Sequence, residues 1–276
     1  MCALEAEEAF TPTDDGVRIS YCVSGKGPFA LVMPVNWGMD SLVYRKGLSS
    51  LEFYLALVTF DPRGVGRSEP PRSREEYALD TTARDAARVA DAIGLPRSVV
   101  LGHSGGGAVA LAYALAFPER VSHLILVSTA TRWASPSPLG SGGPTPATEE
   151  AMRERVRESI ARAVQDPARF ARAMVQLLPR MRFSPDRLRW VSARGPEADD
   201  VASRLAEIRA PVLIVHGRQD RLVPLAEAEA LQAGIPGSRL VVLEDCGHWP
   251  HVERRSEFVA AVKGFLGLHD RVSRSF

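Results

Sequence analysis

No apolar stretch of this 276-residue chain reaches the ~18 residues that a membrane span needs, so no membrane partner is expected. Cysteine is scarce. Cys2, Cys22 and Cys246 are odd in number and lack the spacing of a disulfide framework, which predicts free thiols in a reducing compartment. Lysine occurs only as Lys26, Lys46 and Lys263, leaving the positive charge to arginine, a pattern of codon usage rather than of function. The formal net charge is only +1, which argues against nucleic acid or an anionic surface as the main partner. Residues 1–8 are acidic where a secretory leader would be basic and then apolar, so a cytoplasmic location is expected. Neither a dinucleotide-binding glycine fingerprint nor a phosphate loop is present, and no cofactor is expected. His248 and His251 stand three apart, but Pro250 lies between them and no thiolate or carboxylate cluster has ligand spacing; no metal is expected.

What the chain does have is a series of short apolar runs separated by helical patterns. Residues 16–25 alternate and end at glycine, as a strand and its turn would. Residues 29–33, 57–60, 99–101, 121–127, 212–215 and 239–243 read as further strands, several of them apolar throughout and so buried on both faces. Helices are expected over 77–95, after residue 104, over 225–233 and from about 256 to 266. The alternation predicts a mostly parallel α/β sheet with ligands at the carboxyl ends of its strands. The chain breaks after Met33, Phe60 and Leu101 all fall at such ends.

From Thr131 the composition changes. Residues 135–146 are a Pro/Gly/Ser linker, and 148–178 read as amphipathic helix interrupted near Asp166-Pro167. Its apolar face carries Met152, Val156, Ile160, Val164, Phe170, Met174 and Leu177, and more helix is expected over 185–208. The prediction is one core domain made of 1–130 and 209–276, with a helical cap of 131–208 over the strand-end cleft. The arginines of this insertion are expected on its solvated outer face.

The chemistry centres on Leu101-Gly102-His103-Ser104-Gly105-Gly106-Gly107-Ala108. A β-branched run precedes it and an alanine-rich run follows, the strand–turn–helix setting of a nucleophile elbow. Gly102, Gly105 and Gly106 suit a turn too tight for flanking side chains. A serine hydroxyl needs a base, and the base needs a carboxylate to fix its tautomer. Asp220 and His248 follow two later strands, in loops that open on the same sheet edge as Ser104.

With these motifs the chain resembles the α/β-hydrolase fold superfamily over essentially its full length. Gly-His-Ser-Gly-Gly, Gly-Arg-Gln-Asp-Arg-Leu-Val-Pro and Gly-His-Trp-Pro-His-Val-Glu are similar to its nucleophile, acid and histidine motifs. The resemblance implies Ser104 as nucleophile, Asp220 as orienting acid and His248 as general base. Some members place the acid after the strand that follows the nucleophile, but 127–132 here lacks a carboxylate. Glu244 and Asp245 are expected in the turn rather than behind the imidazole, and Cys246 in packing. Pro34-Val35 stands where most relatives have His-Gly, as in certain lactone hydrolases. The oxyanion hole needs only the next backbone N–H, so Asn36 is expected to donate alongside Gly105. Trp37, His103 and Trp249 are expected to wall the substrate pocket.

Asp61-Pro62-Arg63-Gly64-Val65-Gly66-Arg67-Ser68 resembles a segment of proline iminopeptidase-like members. Those peptidases commonly carry Gly-Gly-Ser-Trp-Gly at the elbow, so the segment is read here as a loop braced by an Asp/Arg pair. The expected function is cleavage of a small-molecule ester or lactone by a cofactor-free monomer or homodimer. An aminopeptidase is the alternative, with Glu149, Glu150 and Glu154 as candidates to bind a free amine. Carbon–carbon bond hydrolysis and perhydrolysis use the same triad, and a ligand receptor on this scaffold is the reading from another class.

Overall fold

Alternate residues of the parallel strands enter two different apolar layers, which is why those strands read as apolar throughout. Leu31, Met33, Val58, Val100, Leu124, Leu126 and Ile214 pack on one face of the sheet. Ala30, Val32, Leu57, Leu101, Ile125, Val127 and Val215 pack on the other. The computed structural model describes residues 7–130, 145–168, 170, 176–194 and 201–269.

The sheet has eight strands in the order β1-β2-β4-β3-β5-β6-β7-β8. They are β1 (Glu7–Pro12), β2 (Arg18–Gly25), β3 (Phe29–Met33), β4 (Ala56–Phe60), β5 (Ser98–His103), β6 (Val121–Val127), β7 (Val212–Gly217) and β8 (Arg239–Leu243). β1 and β2 are antiparallel to their neighbours, and every pairing from β4 to β8 is parallel. β1 was not expected: an edge strand that begins Glu-Glu and ends at proline shows little apolar pattern.

Six helices matter for the site: α1 (Leu42–Gly47), α2 (Leu79–Ala92), α3 (Gly105–Ala116), α4 (Glu149–Ala163), α5 (Pro185–Arg194) and α6 (Leu225–Gly234). The chain closes with α7 (Pro250–Glu253) and α8 (Arg255–Leu266). The residues of α2, α3 and α6 build the layer that contains Leu31 and Met33. On the opposite face, Val43 and Tyr44 of α1 and Phe258 and Val262 of α8 share a layer with Met152, Val156 and Ile160 of α4.

The segment between β6 and β7 is largely helical in its described part. α4 starts at Thr148, whose hydroxyl accepts the Ala151 N–H at 3.1 Å, so the first turn is capped by its own sequence. The helix expected over 185–208 does not run to its expected end. α5 is described as far as Arg194, and Ala202–Glu207 form a 3₁₀ turn that leads to β7. Met174 and most of the 135–146 linker lie outside the described residues. The arginines of this segment divide, contrary to expectation: Arg157 is exposed, whereas Arg187 is fully buried.

Candidate active site

Ser104 sits between β5 and α3 with φ 54 and ψ −129, a left-handed backbone that a side chain tolerates only under strain. The surroundings hold it there. Its N–H donates to Val127 O at 2.9 Å, and its carbonyl accepts the Thr129 hydroxyl at 2.7 Å. The close approach of α3 to the sheet also explains two of the glycines. A Cβ on Gly102 would meet Gly106 O, and one on Gly106 would stand 2.6 Å from Met33 O.

His248 Nε2 is 2.9 Å from Ser104 Oγ, and its Nδ1 is 2.8 Å from Asp220 Oδ2. The other Asp220 oxygen accepts the N–H groups of Leu222 and Val223, each at 2.9 Å. Burial pushes the Asp220 carboxyl up, but His248 and the Val223 N–H outweigh it and hold the group below its ordinary value. Gln219 couples the two loops: its side chain accepts the Cys246 N–H at 2.9 Å, and its N–H donates to Cys246 O at 2.8 Å. Glu253 accepts the N–H groups of Gly247 and Trp249, and His248 donates its own N–H to Ala163 O at the end of α4. Glu244 turns away to Arg218 and Asp245 to Arg254, both exposed, and Cys246 is buried in the apolar layer.

Other histidines surround this line, and of them His216 was not singled out in the sequence. His103 Nε2 donates to His248 O at 2.8 Å, which leaves Nδ1 to accept the Tyr44 hydroxyl at 3.2 Å. Burial, and next the neighbouring His251 and His248, keep His103 neutral. His216 lies in β7 four residues before Asp220, its Nε2 donating to Val223 O at 2.9 Å; burial lowers its pKa. His251 is fully buried, and burial, then His248, pushes it down to about 3. No cluster of metal-ligating side chains occurs among the described residues.

Asn36 and Gly105 face each other. A Cβ on Gly105 would stand 2.9 Å from Asn36 Oδ1 and 3.2 Å from Trp37 Cδ1, so glycine is what fits there. Neither backbone N–H has a hydrogen-bond partner among the described residues. The cleft beside Ser104 and His248 encloses about 370 Å³ of empty space, its open mouth included. Trp37, His103 and Trp249, the residues proposed from sequence for a substrate pocket, line it. So do Val35, Met39, Val156, Ile160 and Leu222, and among the described residues neither a carboxylate nor an Arg or Lys lines it. Val156 and Ile160 were visible in sequence only as the apolar face of a helix.

Glu149 is instead paired with Arg153 and Glu154 with Arg157, while Glu150 is exposed. The 61–68 loop is braced, but not by the expected Asp/Arg pair. Asp61 accepts the Ser41 N–H and hydroxyl and the Arg67 N–H, whereas Arg63 pairs with Asp85, Asp15 and Glu76.

No helix among the described residues is long and apolar enough to cross a membrane. The family model of the alpha/beta hydrolase fold matches residues 36–255. A 2-hydroxy-6-oxononadienedioate/2-hydroxy-6-oxononatrienedioate hydrolase of Pseudomonas putida is 32% identical over 263 residues, covering 91% of this chain and 92% of its own. Among solved structures, the enol-lactonase from Burkholderia xenovorans LB400 matches with a TM-score of 0.76 at 22% identity, over 94% of this chain and 100% of that one. Esterase RhEst1 from Rhodococcus sp. ECU1013 matches with a TM-score of 0.77 at 23% identity, over 94% and 98%. At these identities the solved structures speak for the fold alone, and the sequence match carries the family. The chain is a hydrolase and belongs to the alpha/beta hydrolase fold family.

Proposed function

We propose that the chain is a serine hydrolase that cleaves a small, uncharged carboxylic ester or lactone through an acyl-enzyme. His248 takes the Ser104 proton through Nε2, and the alkoxide attacks the substrate carbonyl. Asp220 accepts the His248 Nδ1–H and stabilises the imidazolium that forms. The N–H groups of Asn36 and Gly105 hold the oxyanion, and His248 returns the proton to the leaving oxygen. Water, deprotonated by the same histidine, then releases the acid and regenerates Ser104. Residues 131–208 act as the cap, with Val156 and Ile160 as the apolar roof. The observation that carries this reading is a continuous Ser104–His248–Asp220 hydrogen-bonded line opening on a cleft whose described lining holds no carboxylate, Arg or Lys.

A second reading is hydrolysis of a carbon–carbon bond, as in the Pseudomonas putida relative. That relative's name gives a dienedioate, an anion, and the described residues that line the cleft of this chain include no Arg or Lys to receive one. An aminopeptidase finds no support in the described lining either, since it includes no carboxylate for a free amine. The test is hydrolysis of p-nitrophenyl butyrate, a simple δ-lactone, a dienedioate and prolyl p-nitroanilide, each with Ser104→Ala as blank. Ester or lactone turnover supports the first reading, and turnover of the dienedioate alone replaces it with the second. A wild type inert to all four and to a fluorophosphonate probe would point to a receptor.

A further inference from the structure

Arg187 on α5 is the largest fully buried side chain among the described residues, with no exposed surface. Its Nε donates to Asn36 O at 2.6 Å, Nη1 to Arg63 O at 3.2 Å and Nη2 to Thr82 Oγ1 at 2.8 Å. The Tyr77 ring lies 5.1 Å from the guanidinium carbon. None of the three acceptors is a carboxylate. Burial lowers the pKa only to about 10, so the group stays a cation at neutral pH. A buried cation on neutral oxygens is costly where a methionine would pack, so its role is to be sought in the geometry that it fixes.

That geometry belongs to Asn36. The loop from 36 to 40 is clasped along its length by the inserted segment. Ser184 N–H donates to Gly38 O at 2.8 Å, Asp40 N–H to Arg182 O at 3.1 Å, and Arg182 N–H to Asp40 Oδ2 at 2.8 Å. Met39 and Phe183 form an antiparallel bridge between them. Gly38 has φ +102, and a Cβ there would stand 2.7 Å from Ser184 O. Asp61 holds the far end of the loop through Ser41. Arg187 closes the near end at the carbonyl of Asn36, the residue whose side-chain oxygen approaches Gly105 and whose N–H is the donor assigned to the hole. Holding that carbonyl fixes the peptide plane after Asn36, so the plane that carries its N–H is left only the φ and ψ of one residue to move by.

We propose that Arg187 is the positioning residue of the oxyanion hole. It fixes the Asn36 N–H only while the inserted segment is docked, and so ties the chemical step to the seating of the cap. The proposal rests on the serine-hydrolase reading, which supplies the oxyanion. Its content is a differential one: Arg187 supports the transition state through Asn36 and leaves ground-state binding alone.

The test uses the full chain and a fluorophosphonate probe, whose addition to Ser104 also develops charge on an oxygen held in the hole. Arg187→Met is expected to slow the maximal labelling rate by about 10- to 100-fold, the range for losing an oxyanion donor, with half-saturation within about twofold. Ester kcat should fall by the same factor with KM unchanged. Arg187→Lys keeps the charge but cannot reach three acceptors, and should recover part of the loss. Should Arg187→Met fail to fold, Arg187→Lys carries the test alone, with a smaller loss confined to the maximal rate. Labelling of a folded variant at the wild-type rate, or a loss confined to half-saturation, overturns the proposal. A purely structural role would lower the unfolding temperature and leave the labelling rate of the folded protein intact. If wild type itself is not labelled at Ser104, the hydrolase mechanism has failed, and the fault is not with Arg187.

Discussion

The two walls of the catalytic cleft are built by different physics. The nucleophile wall, β5 through the start of α3, is a contiguous stretch whose shape follows from steric contact between main-chain atoms. Gly102 and Gly106 let α3 approach β5 and β3, and the ladder partners of β5 leave Ser104 no other backbone to adopt. The opposite wall, which carries the proposed oxyanion donor Asn36, is a loop with little regular structure, held at Asn36, Gly38 and Asp40 by residues of α5 and the segment before it. The first wall is specified locally, and the second by contacts 142 to 151 positions apart along the chain. The first is therefore rigid by sterics, while the second is only as well placed as the inserted segment that covers it.

Substitutions in the two walls should fail in different ways. The largest effect is Ser104→Ala, expected to reduce ester turnover by about four to six orders of magnitude with an unchanged unfolding curve, as judged by urea denaturation. Asp220→Asn should cost about 10⁴-fold in kcat, because the amide no longer selects the His248 tautomer that can accept the serine proton. Gly102→Ala should remove about 3 kcal/mol of stability and the activity with it, since the new methyl meets main chain that cannot yield. Ile160→Phe, in the roof, should instead raise KM for a butyrate ester about tenfold while kcat stays within twofold. A Gly102→Ala protein of wild-type stability, or an Ile160→Phe protein that loses kcat alone, would erase the contrast.

Acid sensitivity gives the smallest effect. His103, His216 and His251 all have pKa values lowered by burial in the folded chain. Below their unfolded value the unfolded state binds protons that the folded state refuses, so stability falls as pH drops from about 6.5. Asp40, raised by burial to about 7, and Asp85, also raised, oppose this because the folded state holds protons there that the unfolded state releases. His251→Phe removes one of the three histidines and should reduce the acid loss between pH 6.5 and 5 by about 1 kcal/mol per pH unit. An unchanged slope in pH-dependent urea titrations would show that His251 is not held neutral.

How much of this was legible follows the same division. The strands, the elbow and the order Ser104, Asp220, His248 could be read because each signal is local: an apolar run, a glycine pattern, a polar residue just past a strand end. β1 escaped because an edge strand hides its pattern under polar residues. The helix expected over 185–208 was overextended because apolar spacing alone carries no stop signal, and the chain closes with a 3₁₀ turn onto β7. Arg187 escaped for the deepest reason. Among the many arginines of the insertion, only the fold decides which one is buried.

The most direct measurement is a side-by-side determination of kcat/KM for a neutral aryl ester or lactone and for a carboxylate-bearing dienoate, in wild type and Ser104→Ala. The geometry predicts preference for the neutral substrate by about 100-fold or more, given an unpaired carboxylate in an apolar cleft, with no turnover in the variant. Preference for the dienoate, or residual turnover by Ser104→Ala near the wild-type rate, would contradict it.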